Sequence, residues 1–166
     1  MKPINWFIRT EETADAADID ALQAEAFGPG RFAKTAFKIR EGVPQDPALC
    51  FVGLNGGELA GSVRLTPIMI GETPGMLLGP LTVAPAYKNR GLGKALLRTA
   101  LDVAESRGET AVLLVGDAPY YGPAGFAPVP LGQITLPGPV DPARLLVATL
   151  NGTDMPRGMV TGGRRA

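Results

Sequence analysis

The chain has 166 residues, 45% of them hydrophobic, with 16 basic and 16 acidic side chains and a formal net charge of zero. That length suits a single domain with a packed core, and the balanced charge excludes the basic field that holds nucleic acid or an anionic membrane non-specifically. The absence of histidine removes histidine triads, a histidine general base and histidine metal sites, and the lone Cys50 excludes a disulfide framework and fits a reducing compartment.

No metal site is expected. No apolar run approaches the roughly 18 residues that a membrane span needs. The first residues show no signal-peptide pattern, so the cytoplasm is the expected location.

Residues 4–9 alternate and contain Trp6, Phe7 and Ile8, which predicts a first strand. Thr13 is placed to cap a helix, with Asp15 and Asp18 near its positive end. Ile19, Leu22 and Ala26 recur at helical spacing until Gly28-Pro29-Gly30. A second helix is expected from residue 31 or 32 to residue 40, ended by Gly42-Val43-Pro44. Residues 49–54 and 58–70 read as strands joined at Asn55-Gly56-Gly57, a hairpin signal. Cys50 lies in the first of these and reads as a small core residue.

Residues 76–83 complete an antiparallel meander. Gly79-Pro80 inside it weakens pairing, since proline offers no N–H, so a bulge or a failure of the ladder is expected there. A helix over residues 92–107 puts Lys94, Arg98, Asp102 and Glu105 on one narrow face and Leu, Ala and Val elsewhere. Gly108 is its stop. Residues 111–115 form a continuous apolar run, as in a central strand, and strand–helix–strand implies a parallel pair. Asp117 to Gly122 is a turn or helical stub. Residues 134–136 and 145–150 read as late strands. The domain is expected to span 1–154, with 155–166 a loose tail.

The stretch from Leu81 to Lys94 carries the chemistry. An apolar strand stops at Pro85, a basic loop follows, and Gly91-Leu92-Gly93 opens a helix. Free amides at a helix N-terminus hold anions, and glycines let an anion reach the backbone. Lys88, Arg90 and Lys94 add positive charge. A phosphate or diphosphate ligand fits. The Walker A spacing fails, because Ala95 follows Lys94 and Lys88 stands at the first glycine position. The dinucleotide fingerprint fails at Leu96, where its third glycine would stand.

Lys88-Asn89-Arg90-Gly91-Leu92-Gly93 resembles the acetyl-CoA loop of the GNAT superfamily of N-acetyltransferases, Gln/Arg-x-x-Gly-x-Gly/Ala, with Lys88 departing from the usual first residue. Leu78-Gly79-Pro80-Leu81, Val115-Gly116-Asp117 and Tyr120-Tyr121-Gly122 before Gly125-Phe126 resemble its YhbS-like bacterial branch. The resemblance implies an α/β (α+β) fold of the GNAT type. That fold has a mixed central sheet, helices on both faces and a splayed parallel strand pair. It implies acetyl-CoA as cofactor, with CoA as product. The pantetheine arm would lie against Leu81, Thr82 and Val83, and the diphosphate on the backbone of Lys88, Asn89, Arg90, Gly91, Leu92, Gly93 and Lys94.

The Val83 N–H, or a neighbour's, would stabilise charge on the thioester oxygen. Tyr121, four residues before Gly125, would protonate the departing thiolate; packing is its other reading, and Tyr120 is the lesser candidate. The base is open among Glu25, Glu72, Asp117, water and an amine that arrives neutral. The substrate rim would include Glu25, Phe27, Arg31 and Phe32. The acceptor is expected to be the amine of a small molecule or peptide, with no nucleic-acid or membrane partner and a monomeric or homodimeric state. The alternatives are a non-catalytic acyl-CoA-binding module and a transferase for another acyl group.

Overall fold

The computed structural model describes residues 6–164, apart from the side chains of Phe32 and Ala33. The start of the first expected strand, the side chain of Phe32 and the last two residues of the expected tail lie outside the described residues.

The chain opens with strand β1 (Phe7–Thr10) and a single 3-10 turn, Thr13–Asp15. Thr13 is not the cap. Glu12 stands at that position, and the Asp15 carboxylate accepts its amide at 2.7 Å. Helix α1 (Ala16–Phe27) follows and ends at Gly28, whose φ of 74° suits a residue without Cβ. The second expected helix divides into a 3-10 turn, Pro29–Ala33, and helix α2 (Thr35–Arg40), because Lys34 between them is extended.

Strands β2 (Phe51–Asn55), β3 (Glu58–Ile70) and β4 (Thr73–Val83) form the meander. Helix α3 (Leu92–Ser106) crosses to strand β5 (Ala111–Val115), which pairs parallel to β4. The stub is helix α4 (Ala118–Tyr121). Strands β6 (Ala127–Pro128), β7 (Ile134–Thr135), β8 (Leu145–Thr149) and β9 (Gly158–Gly162) complete the chain. The sheet order is β1-β2-β3-β4-β5-β8-β6, with β9 pairing β3 and β7.

The last stretch is therefore not a loose tail. β9 pairs antiparallel with residues 68–70 of β3, and Val160 is fully buried. The local sequence, rich in glycine and arginine, carries too little apolar periodicity to announce a strand. The pairing is imposed by the free half of β3's edge.

Strand side chains alternate between faces. Met76 and Leu78 of β4, Val112 and Leu114 of β5, and Leu146 and Ala148 of β8 share one core with Leu92, Leu96 and Leu97 of α3. Leu77, Leu113 and Val147, the residues between, share a second core with Ile39 of α2 and Val160. The α3 entrance lies close on the sheet because β2 and β3 present glycines there. A Cβ at Gly61 would stand 2.9 Å from Leu92 Cδ2 and 2.9 Å from the Thr82 carbonyl oxygen. No described helix is long and apolar enough to cross a membrane.

Candidate active site

The site begins where β4 and β5 part. They pair only at Met76↔Val112 and Leu77↔Leu113. Immediately beyond, the β3–β4 register slips from Leu65↔Leu78 to Val63↔Leu81, so Arg64 faces two residues, Gly79 and Pro80. This is the expected bulge, and it turns β4 away from β5. Gly79 has a φ of 132°, a conformation that other residues rarely adopt.

Past the bulge the ladder to β3 resumes, and Ala84 N–H donates to the Ala60 carbonyl at 2.7 Å. Backbone groups of successive strand residues point to alternate edges. Ala84 and Thr82 therefore face β3, and the amides and carbonyls of Val83 and Leu81 face the gap left by β5. Thr82 contributes nothing to that edge. Its side chain is buried, and its Oγ1 has no hydrogen-bond partner among the described residues.

The N-terminus of α3 forms the next wall. Gly91 is the N-cap, with a φ of 92° and no capping side chain. Ala95 N–H makes the first helical bond, to the Gly91 carbonyl at 3.0 Å. The amides of Leu92, Gly93 and Lys94 thus have no acceptor within the helix and lie at its positive end. A cleft of about 720 Å³ runs along this wall, lined by Leu81, Val83, Lys88, Asn89, Gly91, Leu92, Gly93 and Lys94. Arg90 is not among its lining residues.

The third wall is α4. The amides of Tyr120 and Tyr121 both donate to the Asp117 carbonyl at 3.1 Å. The two rings meet edge to face at 4.9 Å, and Tyr121 packs on Phe126 at 5.9 Å. Tyr121 lies over Gly116, which has no room for a Cβ, and Tyr120 Oη fills the space beside Gly93. Burial, with Tyr120 and Asp117 beside it, pushes the Tyr121 phenol up to about 12. Burial also raises Tyr120.

A second cavity, of about 550 Å³, opens on the other side of the gap, beneath α2. Leu81, Asp117, Tyr120 and Tyr121 line both cavities, so the two meet at the parted strands. Of the residues expected at the substrate rim, Phe27 lines the second cavity; Glu25 and Arg31 do not. Arg31 is buried, bonds the Gly28 carbonyl at 2.8 Å and pairs with Asp20 at 3.6 Å, which makes it a brace for the turn after α1. Of the carboxylates considered as base, Asp117 lines the cavities, paired with Arg144 Nε at 3.4 Å. Glu25 and Glu72 stand elsewhere. Cys50 is buried in the core, and burial lifts its thiol to about 12. Its position and protonation both exclude a nucleophilic role.

Lys34, Phe37, Arg40, Asp141 and Arg144 also line the second cavity. None was legible as a site residue. Arg40 reads locally as a cation in the last turn of a helix, where the dipole alone explains it. Only the bulge in β4 reveals what it faces.

Residues 16–122 match the Acetyltransferase (GNAT) family. The chain is also 31% identical to the uncharacterised N-acetyltransferase YjhQ of Escherichia coli K12, over 70% of this chain and 67% of that one. The chain belongs to the GNAT family.

Solved GNAT structures agree in architecture. The E. coli GNAT protein YhbS in complex with CoA superposes with a TM-score of 0.79 at 26% identity, over 98% of this chain and 92% of that one. A GNAT acetyltransferase from Brucella melitensis in complex with acetyl-CoA gives 0.71 at 26% identity, covering 96% of each chain. The GNAT fold is thus confirmed, with its mixed sheet, parted parallel pair and helices packed against it.

Proposed function

We propose that this GNAT protein transfers an acetyl group from acetyl-CoA to a primary amine, in the cytoplasm, by direct attack with both substrates bound. One observation carries the proposal. The open backbone edge of Leu81 and Val83 runs from an uncapped helix N-terminus to the half-buried Tyr121 and its more exposed neighbour Tyr120. A long, thin ligand with a diphosphate at one end and amides along its length matches that sequence of groups. The two GNAT relatives solved with CoA and acetyl-CoA support the same cofactor.

When bound, acetyl-CoA supplies a thioester carbonyl as electrophile and a thiolate as leaving group. The amides of Leu92, Gly93 and Lys94 hold the diphosphate, with Lys88 and Lys94 adding charge. Leu81 and Val83 pair with the pantetheine amides as an added strand would. The Val83 N–H, already turned into the gap, stabilises negative charge on the carbonyl oxygen as the amine nitrogen bonds to carbon. Tyr121 keeps its proton at neutral pH, gives it to sulfur as the carbon–sulfur bond breaks, and regains one from solvent before the next turnover. The amine's surplus proton leaves to water at the mouth, where Asp117 accepts or relays it.

The test is a CoA-release assay over a panel of amines, with acetyl-CoA binding followed by calorimetry. Tyr121→Phe should lower kcat by roughly 100-fold and leave acetyl-CoA affinity unchanged. Failure of the wild-type protein to take up acetyl-CoA would overturn the assignment.

A further inference from the structure

The second cavity holds a positive charge for which the described residues supply no acidic partner. Arg40 Nε and Nη1 are buried and have no hydrogen-bond partner among the described residues. Its Nη2 points at the bulge, where a Cβ on Gly79 would stand 2.7 Å away. The guanidinium lies over the Phe37 ring at 5.1 Å. Its charged neighbour is another cation, Arg64, whose Nε and Nη2 bond both oxygens of Glu11 at 2.9 and 3.0 Å. Glu11 is thereby committed, and one buried cation is left over.

The other acids of the cavity make their contacts away from Arg40. Asp117 pairs with Arg144, and Asp141 accepts the Ala143 amide at 3.0 Å. Lys34 adds a further positive charge at the rim, 5.5 Å above Phe27. A buried charge left without a partner is costly. A planar guanidinium with free donors also matches a carboxylate in geometry. Burial, with Arg64 beside it, lowers Arg40 only to about 10, so it stays charged at neutral pH.

We infer that Arg40 is the anchor for a carboxylate on the acceptor, which makes the acceptor an amine of the amino-acid class with an apolar body. This rests on the acetyltransferase reading above. Phe27, Phe37, Leu78 and Val140 supply the apolar wall. Gly79 stands two strand positions from Leu81, roughly 7 Å. Leu81 lines both cavities, so the guanidinium stands about that far from the point where they meet, and a carboxylate on an amine that enters there can reach it.

The experiment compares common amino acids with their amides in the CoA-release assay, beside calorimetric binding of acetyl-CoA. Aspartyl-phenylalaninamide, a peptide amine with its carboxylate on the side chain, separates a peptide source from a free amino acid. Wild-type protein should prefer the carboxylate-bearing amine over its amide by at least about tenfold in kcat/KM. Arg40→Met should bring that ratio near one, through KM for the acceptor, with acetyl-CoA affinity unchanged. If Arg40→Met does not fold, Arg40→Lys keeps the charge and loses the fork. It should raise the acceptor KM for acids alone. Acetyl-CoA uptake with equal use of acids and amides, or with no turnover of any carboxylate probe, overturns the anchor and leaves the cofactor reading standing. No acetyl-CoA uptake overturns both.

Discussion

A phenol works as an acid only while it holds its proton. Tyr121 is pushed up to about 12 by burial first, then by Tyr120 and Asp117, against a thiol reference near 8.5. Its proton is thus retained across the neutral range. The profile of kcat against pH should show no descending limb from this residue below about pH 10. Such a limb in the wild type, abolished by Tyr121→Phe, would show a phenol that loses its proton early and would count against the raised value; a profile and kcat unchanged by Tyr121→Phe would count against the acid role. The same shift has a consequence for stability. The folded state keeps a proton that the unfolded chain loses near pH 10, so stability falls as pH rises from there through about 12. Alkaline melting curves of Tyr121→Phe should decline less steeply than those of the wild type. At this scale the loop and the tyrosine each carry a local pattern, glycines opening a helix and Tyr-Tyr-Gly before Gly-Phe, and the structure places both along the cleft. Arg40 has no such pattern. The bulge it faces is 39 residues away, and what makes it notable is that no acid pairs with it among the described residues, which a sequence cannot display.

Single elements show the same division. α3 was legible almost to the residue, since Leu92, Leu96, Leu97, Ala100, Leu101 and Ala104 recur on one side and Gly108 stops it. The irregularity at Gly79-Pro80 followed from the chemistry of two residue types. The two-residue strands β6 and β7 left almost no pattern to read, because a strand that short is defined by its neighbour. The start of α1 departs from the sequence expectation for a similar reason. Asp15, rather than Thr13, closes that turn, because Arg9 on β1 bonds it at 2.7 and 3.0 Å while it accepts the Glu12 amide. Those contacts, led by Arg9, hold the Asp15 carboxyl below the usual carboxylate range. The stabilisation is present above the unfolded pKa of about 3.9 and is lost as pH falls through the lower folded value. Asp15→Ala should therefore cost about 1 kcal/mol at pH 7. The gap between variant and wild type in denaturant midpoints should narrow as the pH is taken below the carboxylate range. An unchanged gap would mean that the Arg9 and Glu12 contacts contribute nothing through charge.

Across the whole molecule, β3 is the axis. β4 runs along one of its edges, while β2 and β9 share the other, at residues 51–55 and 160–162 respectively. β9 therefore ties the end of the described chain to the middle of the sheet and to the side of the gap that α2 covers. It packs beneath α2, the helix that carries Arg40, and does so closely. A Cβ on Gly162 would stand 2.6 Å from the Ile39 carbonyl oxygen and 2.7 Å from Val43 Cγ2. The cofactor side depends on other elements, the α3 entrance and the far half of β4. A wedge at Gly162 should thus separate the two halves of the site. Gly162→Ala forces α2 away from β9, at about 1–3 kcal/mol of stability. Its Tm should fall, and its acceptor KM should rise as Arg40 shifts from Gly79. Acetyl-CoA affinity should hold, because Leu81, Val83 and the amides of Leu92 to Lys94 do not touch β9. Loss of acetyl-CoA binding in parallel with the acceptor would show that the parted strands respond as one unit. A rise in acceptor KM alone would show that the two substrates are held by separately supported walls, joined only at Leu81, Asp117 and the tyrosines.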